Sequence, residues 1–533
     1  NGNGADTGGS LSVVAVNGIP QAIGRQITLP SGARVFVDAN GTFEYDPTGA
    51  FTDLADGAQI TDSFVYALSD STGDDGLGGF TAVKELSALD GTNGFTISGI
   101  DQSNTSGYTV SSAGDVNGDG IDDVIIGATN ASPNGLSSGE SYVVFGTDTG
   151  FGASLELSAL DGTNGFAITG IDDNDRSGTS VSSAGDVNGD GIDDVIIGAS
   201  SADPSGVSSG ESYVVFGKDT GFGASFELSV LDGTNGFVIN GIDEGDQSGF
   251  SVSSAGDMNG DGIDDVIIGA HNDGPNGPYS GQSYVVFGTD TGFDASLELS
   301  ALNGTNGFVI NSIESSGSSG FRVSSAGDVN GDGIDDVIIG ASLADPNGPY
   351  SGQSYVVFGT DTGFDPSFEL SALDGTNGYI INGIDVGDRS GVSVSSAGDV
   401  NGDGIDDVII GASSADPNGT FSGESYVVFG KTTEFGASLE LSALDGTNGY
   451  IISGIDENNF SGSSVSSAGD VNGDGLDDVI IRSSRDDSSG VSSGESYVVF
   501  GRSSSTPGID IATVSVTVTG VTNDHIYGDG YQA

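Results

Sequence analysis

Between Glu85 and Leu155 short apolar bursts alternate with runs of Gly, Asp, Asn and Ser. Four of them, "GFTISG", "YTVSSAGD", "DDVIIGA" and "ESYVVFG", are rich in β-branched or aromatic residues and are bounded by turn formers, the pattern of strands. No segment carries a helical period. The pattern returns at 71-residue intervals up to Gly501, and its acidic knot, "DVNGDGIDD" in the first unit, begins anew at Asp115, Asp186, Asp257, Asp328, Asp399 and Asp470. Four strands per unit, repeated six times, describe a blade of antiparallel sheet and a ring of such blades.

Residue size fits a ring. "TVSSAG" is built from small side chains, as a strand beside a crowded axis requires, whereas "DDVIIGA" is apolar at successive positions and suits a sheet packed on both faces. An open solenoid would need polar caps on its terminal units, and none is visible. The last unit stops after "SYVVFG" without the strand that should follow, while a copy of that strand stands at residues 94–99. This N-terminal copy is therefore expected to complete the sixth blade and close the ring.

Residues 10–79 do not repeat, yet "SVVAVNG", "ARVFVDA", "GTFEYDP" and "DSFVYALSD" have strand character. After the ring, "IDIATVSVTVTGVTND" alternates at Val514, Val516 and Val518, a half-buried strand with no local partner. Closure would bring Gly79 and Thr506 together, so the strand can return to the N-terminal sheet. The expected fold class is all-β, a six-bladed β-propeller with four antiparallel strands per blade, inserted into a split β-sandwich. The expected domains are 1–79 for the first part of the sandwich, 80–505 for the propeller, 506–524 for the returning strand, and 525–533 as a tail toward a further module.

Composition narrows the partners. Ninety-three glycines with few lysines and no tryptophan agree with short strands and tight turns. The formal net charge of -66, from 77 acidic and 11 basic residues, repels phosphate backbones and anionic membranes, which excludes nucleic acid as an expected partner. With no cysteine there are no disulfides or thiolate sites. No apolar run approaches the roughly 18 residues of a membrane span, so no membrane insertion is expected. The opening "NGNGADTGGS" reads as an internal linker, which makes the chain an expected monomeric piece of a longer multidomain protein.

Charge of this sign needs cations, and the knots supply donors for them. In "DVNGDGIDD" oxygens fall at alternate positions: Asp115, Asn117, Asp119, the carbonyl of Ile121, then Asp123. The same set recurs as Asp186, Asn188, Asp190, Ile192 and Asp194, then as Asp257, Asn259, Asp261, Ile263 and Asp265. Asp328, Asn330, Asp332, Ile334 and Asp336 form the fourth set, and Asp399, Asn401, Asp403, Ile405 and Asp407 the fifth. Asp470, Asn472, Asp474, Leu476 and Asp478 form the sixth. Five oxygen donors without sulfur or imidazole match Ca²⁺ before Mg²⁺, about six ions in all. A plain hairpin would need only one Asn-Gly or Asp-Gly. An EF-hand or dockerin loop would place an acid at position twelve and continue into a helix, whereas position twelve here is Ile126, inside a strand.

These loops, six in register over residues 85–501, resemble the FG-GAP repeats of integrin α-subunit propellers, and the resemblance implies a calcium site between the first two strands of each blade. Some elements depart from that family: its "FG" is "SG" here, as at Ser106 and Gly107, and its "GAP" is "GAT", "GAS" or "GAH", or "RSS" at Arg482 to Ser484. Integrin propellers also have seven blades, not all carrying calcium. The outer segments, from "AVNG" through "GTFEYDP" to "TVTVTGVTND", resemble cadherin-like or VCBS-type repeats of bacterial surface adhesins. That likeness implies further calcium at module junctions, with Asn523 and Asp524 as candidates.

The units differ most in two loop sets opposite the knots, "DQSNTSG" to "DENNFSG" and "TNASPNGLSSG" to "SRDDSSGVSSG". Tyr108, Phe250, Tyr279, Phe321, Tyr350, Phe421 and Phe460 lie there as candidate stacking groups. Arg176, Arg322, Arg389 and Arg485 could pair with a ligand carboxylate or neutralise nearby Asp. The expected function is a calcium-binding extracellular adhesion module of a large cell-surface adhesin, holding a glycan or protein ligand on this rim. A calcium-rigidified spacer without a ligand is the alternative. With two histidines, His271 and His525, and no nucleophile set apart from the calcium loops, no catalytic site and no enzyme activity are expected.

Overall fold

The computed structural model describes residues 12–16, 26–28, 33–37, 43–46, 59–69, 89, 91, 94–313, 315–485, 495–502, 512–519 and 526–528. The chain divides into two units, one made of Leu89–Ser504 and the other of Asn1–Ala88 with Ser505–Ala533. The divisions fall after residues 88 and 504, against 79 and 505 from the sequence. Among the described residues no helix is long and apolar enough to cross a membrane.

The larger unit is an all-β, six-bladed propeller. In its second blade the strands Ser180–Gly185, Asp194–Ala199, Glu211–Val215 and Gly236–Asn240 pair antiparallel in that order. The first strands of consecutive blades lie side by side. Small Ser, Ala and Gly side chains permit that approach. The apolar second strand faces both neighbours: Val195 and Ile197 pack toward the first blade, and Ile196 toward the third. Consecutive apolar residues are thus what a doubly covered sheet requires. Each core is a layer between two sheets, sealed at its edge by aromatic rings such as Phe145, Phe166 and Phe222, the last two stacked at 4.1 Å.

Sequence patterning predicts four strands per blade, but the first four sheets have a fifth. Ser296–Glu298, from the following unit, pairs parallel with Gly236–Asn240, and the Asn240 side chain donates to Glu298 at 2.7 Å. This short strand covers an edge whose backbone groups would otherwise stand free. A 3₁₀ turn, Leu299–Ala301, follows it and buries Leu299.

Residues 94–99 do not form the expected closing ladder. Among the described residues Thr96–Ser98 pairs with Ser154–Glu156, not with Glu495–Val499, leaving the sixth sheet with three strands. The strand is held locally, with Phe95 stacked on Phe151 at 3.9 Å, whereas the closing ladder would join segments about 400 residues apart, at a greater cost in chain entropy. Among the described residues the outer faces of the end blades are partly exposed. Val110 is 68% exposed where its counterpart Val181 is 5%, and Ile480 is 37% exposed where Ile409 is 0%.

In the smaller unit Ala512–Thr519 pairs antiparallel with Gln59–Ser69, opposing Val514 to Phe64 and Val518 to Ile60, and Ser12–Val16 borders the same long strand. A second sheet contains Gln26–Thr28, Arg34–Val37, Phe43–Asp46 and Ile526–Gly528. Residues 525–533, read from the sequence as a tail, therefore contribute a strand to this unit, because "IYG" finds a free edge at Phe43–Asp46. Asn523, Asp524, Gly79, Thr506 and His525 lie outside the described residues.

Candidate metal centres and the variable rim

Every knot joins the first strand of a blade to the second and is entered through a bulge, as between Ser183 and Gly185. Gly185 has φ +72°, and a Cβ there would run into the Asp264 carboxylate of the next blade, so both conformation and space require glycine. The first Asp then curls the loop around itself. Asp257 Oδ1 accepts from the N–H groups of Gly260 at 2.8 Å and Asp261 at 3.0 Å, while Oδ2 accepts from Gly262 at 2.8 Å. The Asp261 carboxylate in turn accepts from the N–H of Ile263 at 3.0 Å. In the sixth loop such bonds, from Gly475 first, hold the Asp470 carboxyl below the usual range.

The closing Asp of each knot is buried. Asp123, Asp194, Asp265, Asp336, Asp407 and Asp478 each lie at the base of their loop. Asp407 Oδ1 accepts from the N–H of Gly430 at 2.9 Å and Oδ2 from Val400 at 3.1 Å. Burial pushes its carboxyl up to about 8, with the neighbouring Asp403 and Asp399 adding to the rise and the Gly430 bond opposing it. Burial likewise pushes Asp123 up to about 7, and raises Asp194, Asp265, Asp336 and Asp478.

The second donor, the Asn, bears on the fit of a cation. Asn401 is 2% exposed, its amide donates to Asp407 at 3.2 Å, and its buried Oδ1 has no hydrogen-bond partner. A buried carbonyl oxygen without a donor, beside a buried carboxyl raised by desolvation, suits a hard cation. The same Asn-to-Asp contact recurs at Asn117, Asn188, Asn259, Asn330 and Asn472. Among the described residues no three acidic or imidazole side chains gather into one metal-holding group. The first two acids of each loop, such as Asp257 and Asp261, face backbone N–H groups instead. The chemistry of Asp, Asn, Asp, a carbonyl such as that of Ile121, and the closing Asp fits calcium, and these residues would hold it.

One acid per unit was not anticipated from the sequence. The Asp before the closing Asp reaches across the blade junction: Asp193, Asp264, Asp335, Asp406 and Asp477 accept from the N–H of Asp115, Asp186, Asp257, Asp328 and Asp399 at 2.8 to 3.0 Å. The doubling of Asp in every knot was the available signal. These bonds tie each of the first five candidate metal loops to the next blade.

The two variable loop sets share the opposite rim and clasp each other between units. Leu136 O accepts from the N–H of Asn174 at 2.8 Å, and Ser137 O from Arg176 at 3.1 Å. Of the predicted stacking groups, Tyr108, Tyr279, Tyr350 and Phe421 are exposed, while Phe250, Phe321 and Phe460 are half-buried. Arg322 and Arg485 lie over aromatic rings.

Comparison with known proteins meets this geometry at its repeating element. A model described as the FG-GAP repeat matches residues 106–144, 177–215, 248–286, 320–357, 390–428 and 461–499. Each of the six blades carries one match to the FG-GAP repeat. Each match begins just before the first strand and ends with the third, with the knot at its centre. The chain is 28% identical over 217 residues to integrin alpha-PS2 of Drosophila melanogaster, covering 40% of this chain and 14% of that protein. It is 31% identical over 159 residues to integrin alpha-4 of Xenopus laevis, covering 30% and 14%. It is also 30% identical over 190 residues to phosphatidylinositol-glycan-specific phospholipase D of Bos taurus, covering 34% and 21%. The matched FG-GAP region thus spans a small part of each relative.

Proposed function

We propose that the FG-GAP propeller is a calcium-stiffened extracellular adhesion module, carried on a larger cell-surface adhesin, that presents its variable rim to a glycan or protein ligand. One observation carries this reading: the acidic loops are nearly uniform in all six units on one rim, while sequence differences concentrate on the other. Uniformity marks what every blade needs, and difference marks where one ligand contact can be built without disturbing the scaffold.

Bound calcium would supply positive charge where Asp115, Asp119 and Asp123 and their counterparts repel one another. Asn401 Oδ1 offers a donor atom that protein groups leave free. The cross-blade acids then transmit the order of one loop to the next, since Asp264 grips the backbone of the preceding knot. The smaller unit, with its returning strand, is a split cadherin-like domain in this reading. The acids are metal ligands and junction clamps, and the protein acts by binding rather than catalysis.

Calorimetric titration of the chelator-treated protein with calcium tests the metal: saturable uptake of about six ions supports it, and absence of heat at millimolar calcium refutes it. Glycan and matrix-protein arrays in calcium test the rim. The spacer alternative gains from the loops clasping one another across units. Silence on both arrays with intact folding would favour it.

A further inference from the structure

Six copies of one unit allow each position to be compared with five others in the same fold. At the position of Arg322 the other units carry Thr109, Ser180, Ser251, Ser393 and Ser464. At that of His271 they carry Thr129, Ser200, Ser342, Ser413 and Ser484. Phe250 and Phe321 correspond to Tyr108, Thr179, Val392 and Ser463. Arg322 and His271, the two departures, meet the two Phe rings at one junction. His271 lies 4.3 Å from Phe250 and edge-on to Phe321 at 5.5 Å, and the two Phe rings are 5.3 Å apart. The Arg322 guanidinium stands 4.8 Å from the centre of the Phe321 ring and 5.4 Å from that of Phe250.

On a chain of net charge -66 this cation has no carboxylate partner among the described residues. Its hydrogen bond is a donation from Nη1 to the carbonyl of Phe321 at 3.0 Å, which leaves most of its five N–H donors unused. Burial lowers its pKa, and Tyr108 is the neighbouring group that acts against the fall. Neutralisation of nearby Asp therefore does not explain the residue. His271 adds a buried Nδ1 with no hydrogen-bond partner. Beside Phe250 opens a cavity of about 340 Å³ lined by Tyr108, Arg176, Thr179, Ser200 and Gln247.

We propose that this junction binds a sugar carboxylate at the end of an otherwise neutral glycan, with Arg322 pairing the carboxylate and Phe250 and Tyr108 facing the pyranose ring. A guanidinium on aromatic faces is preorganised for a planar anion. The hydroxyl and amide groups of the cavity wall match sugar hydroxyls. The net charge disfavours acidic peptides and polyanions, which carry several charges toward a negative surface. The inference deepens the adhesion reading and rests on its rim being the ligand face.

The test is titration of the intact chain in calcium, followed by NMR, with the methyl glycosides of sialic acid and glucuronic acid, their carboxamides, and a short Asp-containing peptide. Arg322→Ser and His271→Ser restore residues that other units carry, so the blade retains its fold, which circular dichroism verifies. The expected result is that the acid glycosides bind about tenfold or more tighter than the carboxamides, and that Arg322→Ser abolishes this preference while Arg485→Ser leaves it. The proposal is overturned if neither acid glycoside binds, if Arg322→Ser lowers stability without changing binding, or if the peptide binds in place of the sugars. Calcium uptake measured on the same samples is independent of Arg322. Uptake without sugar binding sinks only this inference, whereas loss of both sinks the adhesion reading with it.

Discussion

If the acidic loops hold calcium as proposed, its removal should reverse the dependence of stability on pH. In metal-free protein the closing acids are buried without a counter-ion, and Asp407 moves from an ordinary 3.8 to about 8, Asp123 to about 7. Below about pH 4 both folded and unfolded chains hold these protons. Between about 4 and 8 the folded state keeps protons that the unfolded chain has released, so stability falls as pH rises through that window and the loss is complete above it. At about 1.4 kcal/mol per pKa unit, Asp407 alone sets an upper bound of roughly 6 kcal/mol, and solvent at the loop's open edge reduces this to about 2. Two such sites approach the total of about 5 to 15 kcal/mol that holds a typical domain.

A bound cation takes the place of the proton. Because calcium would bind the ionised carboxylate, its contribution would grow as pH rises, opposite in sign to the metal-free trend. Thermal unfolding followed by circular dichroism, from about pH 5 to pH 8, should show a melting temperature that declines with pH in EDTA and is flat or rising in calcium. Parallel curves in the two buffers would refute the reasoning. So would a metal-free melting temperature that rises across the window, since the closing acids would then be ionised and paired in the fold.

Substitution at the blade junctions separates clamped from free acids. Asp264→Ala removes the acceptor for the N–H of Asp186 at 2.8 Å and should cost about 1 to 3 kcal/mol in chemical denaturation, whereas Asp122→Ala, on the first blade's exposed face, should stay within about 0.5 kcal/mol. Ile409→Ala, fully buried between blades, should cost about 2 to 5 kcal/mol. Ile480→Ala at the partly exposed counterpart should cost about 1 kcal/mol or less. Equal losses at Ile409 and Ile480 would mean that the two end faces meet in solution.

Much of the propeller was legible because its signals are local and repeated. "DDVIIGA" announces a strand covered on both sides, and Val195, Ile196 and Ile197 divide between two cores as that pattern requires. The knots were legible as loops because alternating Asp, Asn and Gly admit few conformations. Ser296–Glu298 was not, since three residues are too short for a period and their partner, Gly236–Asn240, belongs to the previous blade. The role of Asp264 was hidden for a related reason: adjacent acids in one knot look equivalent until the fold shows that Asp265 turns inward and Asp264 crosses to the next blade.

The rim shows why repetition helps most where it fails. Arg322, read within its own unit, is a basic residue near several acids, and neutralisation is the natural account. Alignment with Ser251 and Ser393 shows that the scaffold asks for a small polar residue there, so the larger cation answers some other requirement. The structure places it over Phe250 and Phe321, which share one variable position of the repeat, and beside His271, a second departure from a small polar residue. Two departures scattered by drift, Arg322 and His271, would not be expected to meet at a single junction around two rings from one variable position. A shared ligand is the requirement that links them, and reverting Arg322 to the serine of its sister units removes the requirement while leaving the blade intact.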